Sequence, residues 1–147
     1  MCLCATKQTL TAAKKTRKSS GKVYAWKVVK LQHPGNIMSL FYHSFSWKPG
    51  WNLSNREDVV PTDGELRRSA LVCSDNIFIN RGIHVYLVKQ HALRACYECC
   101  GQVVIRVECY NKHLVARNHK STFTSKKAVY TKVFLPKKEY DRVTKGK

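Results

Sequence analysis

Four residues have the types and spacing of a metal site: Cys96, Cys99, Cys109 and His113 give C-x2-C-x9-C-x3-H. Three thiolates and one imidazole suit tetrahedral zinc. A core role competes with that reading. Cys96 and Cys99 fall on the apolar stripe of a predicted helix, Cys109 takes the inward parity of a predicted strand, and free cysteine is a common small core residue. A strand filling the nine-residue gap is also unlike the tight turns that carry zinc ligands, so the expectation is no cofactor, with zinc the one candidate. Loss of the initiator methionine would make Cys2 an N-terminal nucleophile with its own α-amine as base. The basic segment behind it would hold it loosely, which conflicts with preorganisation. The six histidines form no close pair, and no zincin, nucleophile-elbow, P-loop or dinucleotide-binding pattern is present. The acids supply no catalytic pair: Glu57 and Asp58 are adjacent, while Glu98 and Glu108 belong to different elements. No catalytic residue is assigned, and the chain reads as non-enzymatic.

Aromatic residues among cations are the other chemical signal. Trp47 and Trp51 flank Lys48-Pro49-Gly50, and Tyr86 alternates outward on its strand near Lys89. With Arg81 and His84 they would line a ligand or partner surface, because stacking beside positive charge holds single strands or nucleotides without sequence preference. The competing expectation is that both tryptophans pack on the edge of the core.

The chain has 147 residues, with 27 Lys and Arg against 9 Asp and Glu, a formal charge of +18. That length suits one domain, and 44% hydrophobic residues suffice for a core. No run approaches the ~18 apolar residues of a membrane span, no secretory leader is evident, and no membrane partner is expected. Seven cysteines, an odd number, are expected to be reduced thiols in an intracellular setting. Charge is concentrated at the ends. Residues 1–22 hold Lys7, Lys14, Lys15, Arg17, Lys18 and Lys22 with no acid, and residues 126–147 hold eight bases against Glu139 and Asp141. Together with Lys126, Lys127, Lys137 and Lys138, these are the predicted contacts to nucleic acid or another polyanion, through counterion release.

The elements that must position these groups follow from periodicity. Residues 1–22 read as a flexible basic arm, helical around Leu10 to Lys15 when neutralised, residues 23–136 as the folded domain and residues 137–147 as a basic tail. Val23–Leu31 and Ile37–Trp47 are predicted to form a hairpin about Pro34-Gly35, and Trp51–Pro61 a loop. Thr62 and Glu65 fit a capping box opening a short helix. "IFINRGIHVYLV" reads as a strand broken at Arg81-Gly82, and "VKQHALRACYECC" as a helix with Val88, Ala92, Ala95, Cys96 and Cys99 on one face, ended by Gly101. "QVVIRVECY" alternates as a strand with Ile105, Val107 and Cys109 inward and Arg106 and Glu108 outward, "HLVAR" is a short strand, and "AVYTKVFLP" is the last. The predicted class is α+β, a single small domain of mainly antiparallel sheet with one or two helices on one face.

Two resemblances accompany this reading. "TKQT" and "RKSSGK" are similar to a core histone tail, a likeness of shared chemistry. The segments "MCLC", "VYAWKVVK", "RGIHVYLVKQHALRACYE" and "AVYTKVFLPKKEY" resemble small uncharacterised proteins of phages and large DNA viruses, marseillevirus-like ones included, that begin Met-Cys-Leu and carry a Gly-x-His-x-Tyr segment. That resemblance implies a viral origin, placing the protein in the virion or in host cytoplasm or nucleus. The function expected is electrostatic binding of nucleic acid, as in genome packaging or the virion interior. Two rivals stand beside it: a minor capsid or cement protein with extended ends contacting capsid proteins, and a phage module that sequesters a nucleotide signal.

Overall fold

The structure is a computed structural model that describes residues 3–32, 35–40, 46–53, 76–79, 82–118 and 125–145. The chain begins with strand β1 (Leu3–Thr6) and helix α1 (Lys7–Thr16). The Thr6 and Thr9 side chains reciprocally satisfy each other's backbone N–H groups, which starts the helix. Leu10 and Ala13, one turn apart, are buried with Ala5. The segment expected to be a flexible arm is therefore folded, because these few apolar residues recur at helical spacing and find a sheet to cover.

Strand β2 (Lys22–Gln32) runs through the centre of the sheet and turns at Gly35 into β3 (Asn36–Ser39), as the hairpin signal predicted. Strand β4 (Ser46–Trp47) pairs with β3, and β5 (Gly50–Leu53) occupies positions expected to be loop. Asn52 makes that possible: its side-chain amide accepts from Lys48 N–H and donates to the Lys48 and Gly50 carbonyls, locking the turn ahead of the strand. The predicted helix at Thr62 lies outside the described residues. Strand β6 (Asn76–Ile79) pairs with β1, and β7 (Ile83–Tyr86) joins the main sheet, the break falling at Gly82 with φ 88°. Helix α2 (Lys89–Arg94) is shorter than its periodicity suggested. A 3-10 turn (Glu98–Cys100) follows, closed by Gly101 at φ 76°, the left-handed cap the sequence called for. Strand β8 (Gln102–Tyr110), β9 (Leu114–Arg117), β10 (Lys127–Tyr130), β11 (Lys132–Leu135) and helix α3 (Lys137–Lys145) complete the chain. The last predicted strand is thus two, and the expected basic tail is a helix.

The fold is α+β, and its main sheet is antiparallel throughout its described pairings. The strand order is β5-β11-β8-β2-β7-β10-β9, with β3 attached to the far half of β2 and β4 to β3. One face collects Ala25, Val29, Ile37, Trp47, Val85, Ile105, Val107, Cys109, Tyr130, Val133 and Leu135 into the principal core. The opposite face is covered in parts. Segment β1–α1 packs on Val115, Ala116 and Val129 of β9–β10, and α2 lays Ala92 on Val28 and Tyr86. The quarter formed by β5, β11, β8 and the start of β2 keeps Tyr24, Trp51 and Arg106 exposed.

Both end helices protect backbone at strands. The Arg17 guanidinium donates to the Leu114 and Val115 carbonyls where β9 begins. Strand β11 pairs with β8 only at Phe134 and Glu108, which leaves the neighbouring groups of that β8 edge open. Helix α3 fills the place of a partner strand. Glu139 accepts from Arg106 N–H at 3.0 Å and Arg142 donates to the Val104 carbonyl at 3.1 Å, while the two side chains pair at 2.6 Å. Tyr140 and Val143 pack against the core beside them.

Candidate nucleic-acid interface

Strand register builds the site. Trp51 of β5 stands opposite Phe134 of β11, Phe134 opposite Glu108 of β8, and Glu108 opposite Tyr24 of β2. Directly paired residues of an antiparallel sheet share a face with Cβ atoms ~5 Å apart, so these four form one transverse row across the uncovered quarter. Lys22 and Tyr110 are paired one step along, and Arg106 and Trp26 one step the other way. Inward neighbours at Ala25, Val107, Cys109 and Val133 are wholly buried, which fixes the parity and turns the row outward.

Three aromatic neighbours hold Trp51: Tyr110, Phe134 and His113 have ring centroids at 5.3, 5.4 and 5.7 Å, tilted or edge-on, and Lys132 Nζ lies 5.4 Å from its ring. The ring itself stays 46% exposed. Desolvation, then the charges of Lys132 and Lys112, lower the pKa of His113, which favours the uncharged imidazole against the indole. Its Nε2 is buried without a hydrogen-bond partner among the described residues. At the other end of the row Tyr24 is 47% exposed, with the Arg106 guanidinium 4.8 Å and Lys22 Nζ 5.7 Å from its ring. Glu108 sits between the aromatics and pairs with Lys22 at 2.6 Å. Two exposed π faces are thereby spaced across four strands, with Lys22, Arg106 and Lys132 around them.

Of the surface expected from Trp47, Trp51, Arg81, His84 and Tyr86, only Trp51 is exposed among the described residues. Trp47 is 1% exposed, opposite Ile37 on the core face, with its indole N–H donating to Ser39 Oγ. The competing expectation, tryptophan in the core, holds for this residue. His84 and Tyr86 do take the outward parity, but that face is covered there: α2 lies on Tyr86, and Val129, opposite His84, packs beneath β1–α1. Arg81 lies outside the described residues.

The zinc set does not converge: among the described residues no three His, Cys, Asp or Glu side chains come together. Cys109 is a core residue whose thiol is pushed up to about 12 by burial. Cys96 packs near Ala92, whereas Cys99 is exposed, because α2 ends before the predicted stripe reaches it. Cys2 lies outside the described residues.

The predicted polyanion contacts divide. Lys14, Lys15, Lys18, Lys126 and Lys138 project from the surface. Arg17 is committed to β9 carbonyls, Lys137 pairs with Asp141 at 2.8 Å, and Lys127 Nζ lies 5.6 Å from the Tyr86 ring. Lys22 belongs to the row, and Lys7 opens α1. Sequence reading missed Tyr24, Tyr110, Lys132 and Phe134. Alternation of "VYAW", "VECY" and "TKVF" put all of them outward, but only cross-strand register brings them together. Among the described residues no helix is long and apolar enough to cross a membrane. Compared with protein-family models, curated proteins and solved structures, the chain matches none.

Proposed function

We propose that this protein is a non-enzymatic binder of single-stranded nucleic acid, and that the strand lies across the open quarter of the sheet. The transverse row Trp51–Phe134–Glu108–Tyr24, flanked by Lys22, Arg106 and Lys132, is the observation that supports it. Exposed aromatic faces stack unpaired bases and the cations meet phosphates, whereas bases inside a duplex offer no free face to stack. The exposed lysines of α1 and the chain's other end add affinity without base contact. Packaging of a genome or organisation of a virion interior is the setting we propose, on the resemblance of these strands to viral proteins.

Fluorescence anisotropy with a labelled single-stranded homopolymer tests the reading. One stacked base is worth about 1–3 kcal/mol, so Trp51→Ala and Tyr24→Ala should each weaken binding about 5- to 150-fold. A Lys14→Ser, Lys15→Ser variant should lose much less. Equal affinity for a duplex of the same length, with both aromatic variants unaffected, would overturn the proposal in favour of purely electrostatic binding by the terminal lysines.

A further inference from the structure

We propose that Cys99 and Cys100 form a two-thiolate site for a thiophilic d10 metal ion of the zinc class, separate from the sheet face. Their sulfurs are 3.8 Å apart and both side chains are exposed. Two fates are open to such a pair, and geometry chooses between them. Consecutive Cα atoms are ~3.8 Å apart, below the ~4.4–6.8 Å of ordinary disulfides, so a bond between neighbours is strained. An ion with metal–sulfur bonds of ~2.3 Å bridging the observed 3.8 Å would subtend an angle of about 110°, close to tetrahedral. The pair therefore fits a bridging ion better than it fits its own disulfide.

The turn that presents the thiols is anchored at both ends. Cys100 N–H donates to the Tyr97 carbonyl, Gly101 N–H to the Glu98 carbonyl, and Tyr97 N–H to Gln102 Oε1, each at 3.0 Å. Leu31 N–H of β2 donates to the Gly101 carbonyl at 2.9 Å, fastening the turn to the sheet. An ordinary thiol keeps its proton at neutral pH and only the thiolate ligates, so metal binding must displace thiol protons. Two coordination positions remain for water, a small thiol or a donor from another molecule, which makes the site one of exchange rather than of structure.

Titration of the reduced full-length protein with cadmium(II), free of added thiol, tests this directly. The expected result is one ion per chain at this site, a sulfur-to-cadmium charge-transfer band and release of protons on binding. Cys99→Ser and Cys100→Ser should each abolish the band, while Cys96→Ser and Cys109→Ser keep it. Absence of the band in the unaltered protein, or its survival in the Cys99→Ser, Cys100→Ser double variant, would overturn the proposal. Cys99 and Cys100 sit in the turn ahead of β8, outside the nucleic-acid row, so oligonucleotide affinity should remain unchanged in every Cys99 and Cys100 variant.

Discussion

Lys27 shows how closely a single side chain can be read. It takes the inward parity of β2 between Ala25 and Val29 and opposite Ile105, all wholly buried. Desolvation lowers its ammonium to about 8 from 10.5. A lysine whose folded pKa is depressed costs stability wherever it must carry its charge. The penalty is therefore complete below pH 8 and disappears as pH rises toward 10.5. Such a shift corresponds to ~3 kcal/mol, but Lys27 retains some solvent contact, so Lys27→Met should stabilise by about 2 kcal/mol at pH 7. Urea unfolding of the two proteins should show that difference at pH 7 and its disappearance above pH 10. The pairing of β2 with β8 places Lys27 on the core side, a position that a count of cations does not reveal. Trp47 is the converse case, an aromatic beside a lysine that the register of a two-residue strand carries into the core.

Element by element, the sequence announced most strands, because alternation of Val, Ile and Cys with polar residues survives wherever one face is buried. It announced α1 and α3 poorly. Their apolar stripes are narrow, Leu10 and Ala13 in one and Tyr140 and Val143 in the other, and lysine hides them. What each helix covers depends on strands distant in sequence, which no local pattern encodes. The contact of α3 with β8 carries a sharp expectation. Against the desolvation that would raise it, the Arg142 guanidinium and the Arg106 N–H hold the Glu139 carboxyl below its ordinary 4.5. A depressed carboxyl adds stability above pH 4.5, and that increment is lost as pH falls through the folded value. Arg142→Ala should cost about 1–3 kcal/mol, since it strips the Val104 carbonyl and unpairs a partly buried Glu139. Chemical denaturation at pH 7 measures the loss. Hydrogen exchange should show faster exchange at Arg106, whose N–H bonds to that carboxylate.

For the whole molecule, the net charge of +18 sets solubility and the reach of its field, whereas the row of aromatics sets what is held. Engagement of about four phosphates by a single strand should weaken binding roughly 50-fold between 50 and 200 mM salt. Replacing Lys14, Lys15 and Lys18 with serine should flatten that slope and leave the thermal midpoint in place. Deleting residues 1–17 should lower the midpoint, because Ala5, Leu10 and Arg17 are lost from β9 and β10. Calorimetry beside a salt titration separates the two effects. The candidate site lay half visible in the sequence for the same reason: its cations and aromatics could be counted, but which of them were neighbours depended on pairings between residues distant in sequence. The Glu139–Arg142 clasp on β8 also has a consequence for synthesis. Residues 137–145 leave the ribosome after the strand they shield, so at ~5–20 residues per second that backbone waits a few seconds for its cover. Crowded translation of this chain should depend on a chaperone to bridge that interval.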